Sequence, residues 1–175
     1  MIVAAAALAA VVVLSVLLAK RHADATPQTV YNPTQIAISS ALQAAEQIYG
    51  SDQNSFPRGQ TLISQLQKQD PELTFGFGPQ AVTSQINASA PLTSTAISVG
   101  VSEDGVVIVF AAQASDGTCW YATDNHETHS ATGGLDGASQ TRGTSYASAS
   151  GQTSCTAGAG RPGDVTPWGA NWPAS

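Results

Sequence analysis

The sequence predicts an α+β fold: an N-terminal transmembrane helix continuing into an amphipathic helix packed on a small antiparallel β-meander, with a disulfide-bounded C-terminal loop region. Three observations predict it. Ile2 to Ala19 are eighteen apolar or small residues without a charge, closed by Lys20 and Arg21. Asn32-Pro33 opens a run whose apolar residues recur at helical spacing. Three runs rich in β-branched or aromatic residues follow, separated by turn-forming stretches, and the third holds the first of only two cysteines. The chain accordingly divides into a membrane-spanning segment (1–22), a linker (23–32), an α+β domain (33–125) and a Gly/Ser/Thr-rich region (126–175) closed by a Cys119–Cys155 disulfide.

As a helix rising about 1.5 Å per residue, the apolar run spans roughly 27 Å, close to the ~30 Å hydrocarbon core of a bilayer. A cleaved secretory signal is the competing reading, because Ala23-Asp24-Ala25 has a small-x-small pattern. The run exceeds the usual ~7–15 residue signal core, however, and Lys20-Arg21 separate it from that site. A retained anchor is therefore expected. No cation precedes the run, so the positive-inside rule alone would leave the C-terminal part in the cytoplasm.

Asn32 is a favoured N-cap and Pro33 suits the first helical position. Ile38, Leu42, Ala45 and Tyr49 form one stripe flanked by Ala41 and Ile48, while Gln43, Glu46 and Gln47 fall largely off it, and Gly50 is expected to end the helix. A short second helix is expected over Thr61 to Lys68, burying Leu62, Ile63 and Leu66 and stopping before Asp70-Pro71. Leu73 to Phe77 reads as a short extended segment, and Gly78 to Thr95 as mostly irregular. Ala96–Val101, Val106–Ala112 and Thr118–Thr123 are the strands, joined by SEDG and QASDG turns, and such short connections imply a three-stranded antiparallel meander. Helix 33–49 is its cover. Trp120 and Tyr121 alternate on the third strand, one inward and one outward. Beyond Asp124 large apolar residues thin out, so an irregular loop is expected, with a short strand near Cys155 and a frayed tail.

Composition excludes some functions. Formal net charge is −6, and the six Lys and Arg are scattered at 20, 21, 58, 68, 142 and 161, so no cationic footprint for nucleic acid exists. Cys119 and Cys155 suit one disulfide in an oxidising compartment; two buried thiols are the alternative. Asp124-Asn125-His126-Glu127-Thr128-His129 is the densest group of ligand-type residues. Metal could be held by Asp124, His126 and His129, or a hard cation by Asp124, Glu127 and Asp136, but HETH lacks HExxH spacing and a solvated loop is the favoured reading. No catalytic residue, metal or cofactor is assigned. There is no GxSxG elbow and no phosphate loop, and Gly133-Gly134 reads as loop punctuation. Asn87-Ala88-Ser89 is a sequon by letter only. Trp168 and Trp172 could stack on glycans or partners; folding back onto the domain or touching a neighbouring subunit is the commoner fate of tail aromatics.

Three stretches, taken with the apolar run, resemble type IV pilins and pseudopilins, most nearly the pilin-like proteins of Gram-positive bacteria. They are ALQAAEQIYGSDQNSFP (41–57), TLISQLQKQDPELTF (61–75) and ISVGVSEDGVVIVFAAQASDGTCWYATDN (97–125). The resemblance covers most of residues 1–125. It implies a structural subunit of a type IV pilus-like filament or secretion pseudopilus, held in the cytoplasmic membrane by one span with its C-terminal domain outside. The implied partners are membrane lipid, other pilin-like subunits through the N-terminal helix, and an ATPase-driven assembly machinery. The small residues from Ala4 to Ala10 suit close helix packing. The alternative is a membrane-tethered binding or adhesion domain that never polymerises. Pilin precursors carry a cationic leader ending in Gly and a Glu at the fifth mature position, whereas residue 5 here is Ala. Because pilins often read Glu followed closely by Met-Ile-Val, Met1-Ile2-Val3 is expected to be internal, with leader, cleavage site and Glu upstream.

Overall fold

The computed structural model describes residues 32–77, 96–127, 135, 138–152, 155–157 and 167–173, all within one compact unit spanning 31–175. The apolar run 2–19, most of the linker, segment 78–95 with Asn87, His129, Gly133-Gly134 and Asp136 lie outside the described residues. Among the described residues no helix is long and apolar enough to cross a membrane.

Helix α1 covers Pro33–Ser51 and starts where the sequence marks it. Asn32 Oδ1 accepts from the Gln35 N–H at 2.9 Å, and Gln35 Oε1 accepts from the Asn32 N–H at 2.9 Å. These reciprocal bonds satisfy two donors that the helix cannot satisfy itself. Asn32 has extended backbone, φ −72° and ψ 161°, so α1 begins afresh at Pro33. Ile38, Ala41, Leu42, Ala45 and Ile48 are buried as the stripe predicts. Gly50 does not end the helix; the chain reverses at Gln53 and Asn54, both in the left-handed region at φ 56° and 59°. Helix α2 covers Gln60–Gln69 and buries Leu62, Ile63 and Leu66. Gly59 precedes it at φ 59°, ψ −147°, a region essentially reserved for glycine.

Five strands form one sheet in sequence order: β1 (Thr74–Gly76), β2 (Ala96–Val101), β3 (Val107–Gln113), β4 (Cys119–Asn125) and β5 (Gly143–Ala149). β1 lies parallel to β2 at one edge. The remaining neighbours are antiparallel, with Phe110 opposite Ala122 and Ala122 opposite Tyr146. The meander thus has four antiparallel strands where three were expected, and β5 replaces part of the expected irregular loop. Its sequence, GTSYASA, carries one large side chain. It pairs because β4 offers an open edge and because small residues suit the layer stacked on that side.

The sheet is covered on both faces. Ile97, Val99, Ile108, Phe110, Trp120 and Ala122 pack with α1, α2 and Phe56. The alternate residues Val107, Val109, Ala111, Tyr121, Ala147 and Ala149 pack with Leu135, Cys155, Ala157 and Trp168. Tyr121 is therefore buried like Trp120, on the opposite face, and does not point outward. Cys119 and Cys155 form the disulfide, Cα–Cα 5.6 Å, and both are fully buried. It fastens residues 155–157 across the back of the sheet, where a Cβ on Gly100 would meet Leu135 Cδ2 at 2.8 Å and Ala157 O at 2.9 Å. Glycine at that strand position lets the C-terminal layer approach the backbone.

Residues 167–173 pack against the sheet, where a frayed tail was expected. Tyr146 and Gly169 exchange backbone hydrogen bonds of 2.8 and 3.0 Å along the outer edge of β5. Trp168 packs on the back cluster, and Trp172 on the helix-side cluster, 4.4 Å from the Tyr146 ring and 5.7 Å from Trp120. The tail so straddles an edge strand that would otherwise present unpaired backbone groups.

Candidate functional site

One group of ionisable side chains gathers where the middle of α1 crosses the end of β4. Alternation on β4 places Trp120, Ala122 and Asp124 toward the helices, and Asn125 toward the other face. Asp124 is thereby carried under α1 with a side chain only 5% exposed. His126 follows the strand, and its N–H donates to Val106 O at 3.0 Å, holding the first residue beyond β4 in line. From above, α1 contributes Glu46 and Tyr49, which share a face three residues apart.

The three chemistry-bearing atoms are close. His126 Nε2 lies 2.9 Å from Asp124 Oδ2 and 3.7 Å from Glu46 Oε1. One ligand atom from each of Glu46, Asp124 and His126 falls within 4.8 Å of the others, a donor set able to hold a metal ion. His126 Nε2 and Asp124 Oδ2 are both shielded from solvent, and their 2.9 Å contact is an ion-pair approach that lacks hydrogen-bond geometry. The imidazole plane is set by aromatic contacts: Tyr49 stacks on it at 3.6 Å and 11°, and Phe56 meets it edge-on at 5.6 Å. Phe56 is held in turn by its N–H donating to Gly105 O at 2.7 Å. Gly105 has φ 74°, and a Cβ there would collide with Ser55 Oγ, so this turn accepts only glycine without rearrangement.

Crowding of two carboxyl groups sets the electrostatics. The Glu46 carboxyl is raised from 4.5 to about 7, first because its proton can be shared with the Asp124 side chain, then by burial and by the Asp124 charge. Tyr49 is raised by burial and by the negative charges of Glu127, Asp124 and Glu46, against a lowering effect of Arg142. A carboxyl raised in the folded state binds more protons folded than unfolded between the two values. Its stabilising contribution is thus complete below about 4.5 and is lost as pH rises through about 7. In chelator, the melting temperature of Glu46→Gln should therefore gain on that of the wild type as pH rises from 4.5 to 7.5. An unchanged difference across this range would refute the crowding.

Of the residues singled out by sequence, Asp124 and His126 belong to this group. Glu127 is exposed, and its N–H donates to Asn125 Oδ1 at 2.9 Å. His129 and Asp136 lie outside the described residues. The solvated-loop reading does not hold for Asp124 and Asn125, which are buried strand residues. Asn125 Nδ2 donates to Ser139 O at 3.2 Å on the other face. Glu46 was not foreseen. Its position largely off the apolar stripe gave no sign of a sheet contact, and nothing local named Asp124 as its neighbour. Comparison of the chain with family models, with curated proteins and with solved structures finds no match to any of them.

Proposed function

We infer that this chain is a structural, pilin-like subunit: anchored by its N-terminal apolar segment, with its domain outside the cytoplasm, and assembling into a type IV pilus-like filament or secretion pseudopilus. The observation that carries this reading is the order of parts. An eighteen-residue uncharged run precedes a capped amphipathic helix, and that helix lies on a mainly antiparallel sheet whose fourth strand is tied by a disulfide to the segment after the fifth. The disulfide supports an oxidising, extracytoplasmic setting. The small residues at 4–7, 9 and 10 support helix-on-helix packing in place of lipid contacts. In this role the domain forms the outer surface of the assembly, and the apolar segment supplies the association energy.

A second reading is favoured by one observation. The extended backbone of Asn32, with its capping box, makes α1 a helix in its own right. That suits a domain hung from a membrane anchor by a linker, a non-polymerising binding or adhesion module. Cysteines introduced at Ala6 and Ala10 decide between them. Both native cysteines are consumed in the disulfide, so oxidative cross-linking in cells reports only the new ones. Ladders of multimers are the expected result; monomers alone would overturn the filament reading and leave the tether.

A further inference from the structure

We propose that Glu46, Asp124 and His126 form a binding site for a divalent first-row transition metal ion, of which Zn²⁺ is the representative, joining the middle of α1 to the end of β4. The inference is independent of whether the chain polymerises.

Geometry carries it. Zinc binds imidazole nitrogen and carboxylate oxygen at about 2.0–2.2 Å, so two ligand atoms around a tetrahedral ion lie about 3.4 Å apart. The separations of His126 Nε2 from Asp124 Oδ2 and Glu46 Oε1, 2.9 and 3.7 Å, bracket that value. Small side-chain adjustments bring all three onto one ion. The second observation is independent of the clustering. Asp124 is more than nine-tenths buried, and its Oδ2 is aimed at the His126 ring nitrogen. At 2.9 Å the two shielded polar atoms make an ion-pair contact without hydrogen-bond geometry, which leaves each poorly satisfied. A shared cation satisfies both.

Charge and donor type narrow the ion. Two carboxylates and a neutral imidazole balance a 2+ charge, relieving the repulsion between Glu46 and Asp124. An imidazole among only three protein donors suits zinc and its neighbours. Calcium prefers six to eight oxygens, which this set does not supply. Tyr49 and Phe56 hold the ring plane, so the imidazole is oriented before the ion arrives. Three protein ligands leave one tetrahedral position open to water or to a donor from another molecule.

The test is calorimetric titration of the chelator-treated full chain in detergent with ZnCl₂, and separately with CaCl₂. One saturable Zn²⁺ site per chain is expected, with no calcium heat. Glu46→Gln, at a half-exposed position that leaves the fold intact, should weaken Zn²⁺ binding at least about tenfold, and His126→Gln should do the same. Co²⁺ added to the unaltered chain should give the visible bands of a four-coordinate ion, a readout that needs no variant. The proposal is overturned if Zn²⁺ shows no saturable binding, if calcium binds in its place, or if both variants bind Zn²⁺ like the parent.

Discussion

Replacing Cys119 and Cys155 together with alanine is expected to lower the stability of the folded domain by about 4 kcal/mol, measured by urea denaturation of the full chain in detergent. The two cysteines lie 36 residues apart in sequence, and closing a loop of that size removes roughly 4 kcal/mol of conformational freedom from the unfolded chain. Against total stabilities of about 5–15 kcal/mol for ordinary domains, this is a large fraction. The loop so closed contains β5, whose side chains are mostly small, and the fully buried sulfurs sit in the layer that covers the back of the sheet. The region beyond β4 has few large apolar groups to hold it there by burial alone. A loss below about 1 kcal/mol would show that the β4–β5 ladder retains this layer without the covalent link.

Trp120→Ala should cost about 3–5 kcal/mol, the usual range for truncating a buried aromatic. Trp120 is 2% exposed, heads the largest fully buried side chains, and sits on the helix-side face of β4. Its ring meets Trp172 edge-on at 5.7 Å, so removing it also takes away one of the two ring contacts that hold the tail on that face. Its Nε1–H is buried without an acceptor. Trp120→Phe should therefore cost much less than alanine, because loss of volume is partly offset by removal of an unsatisfied donor. Equal losses for alanine and phenylalanine, measured by the same denaturation, would contradict this account.

These two positions also mark how far the sequence could be read. The helix start was legible because Asn32, Pro33 and Gln35 act on one another within a single turn. The strands β2, β3 and β4 were legible because β-branched runs between glycine turns leave few alternatives, and Gly105 and Gly117 do adopt positive φ. β5 was not legible. Ser, Thr and Ala alternate there without contrast in hydropathy, and what makes GTSYASA a strand is the open edge of β4. β1 was visible as an extended stretch, but its parallel partner β2 lies across a long intervening segment that local pattern cannot bridge. One of Trp120 and Tyr121 was expected to face outward because the cover supplied by Leu135, Cys155 and Ala157 comes from distant, small or isolated residues. Two of the three residues of the candidate site, Asp124 and His126, were legible by letter. Glu46 was not, because it reaches them only through the packing of α1 across the sheet.

Local pattern was enough to mark an apolar segment of bilayer length, a capped helix with one buried stripe, three strands with their turns, and a single cysteine pair. Each rests on interactions among residues a few positions apart, where spacing and residue type decide the outcome. Long-range packing made β5 complete the sheet, covered both faces, and brought a glutamate of α1 to an aspartate and a histidine at a strand end. Those outcomes depend on which surfaces remain open once the first elements pack, a property of the assembled core that no local window contains.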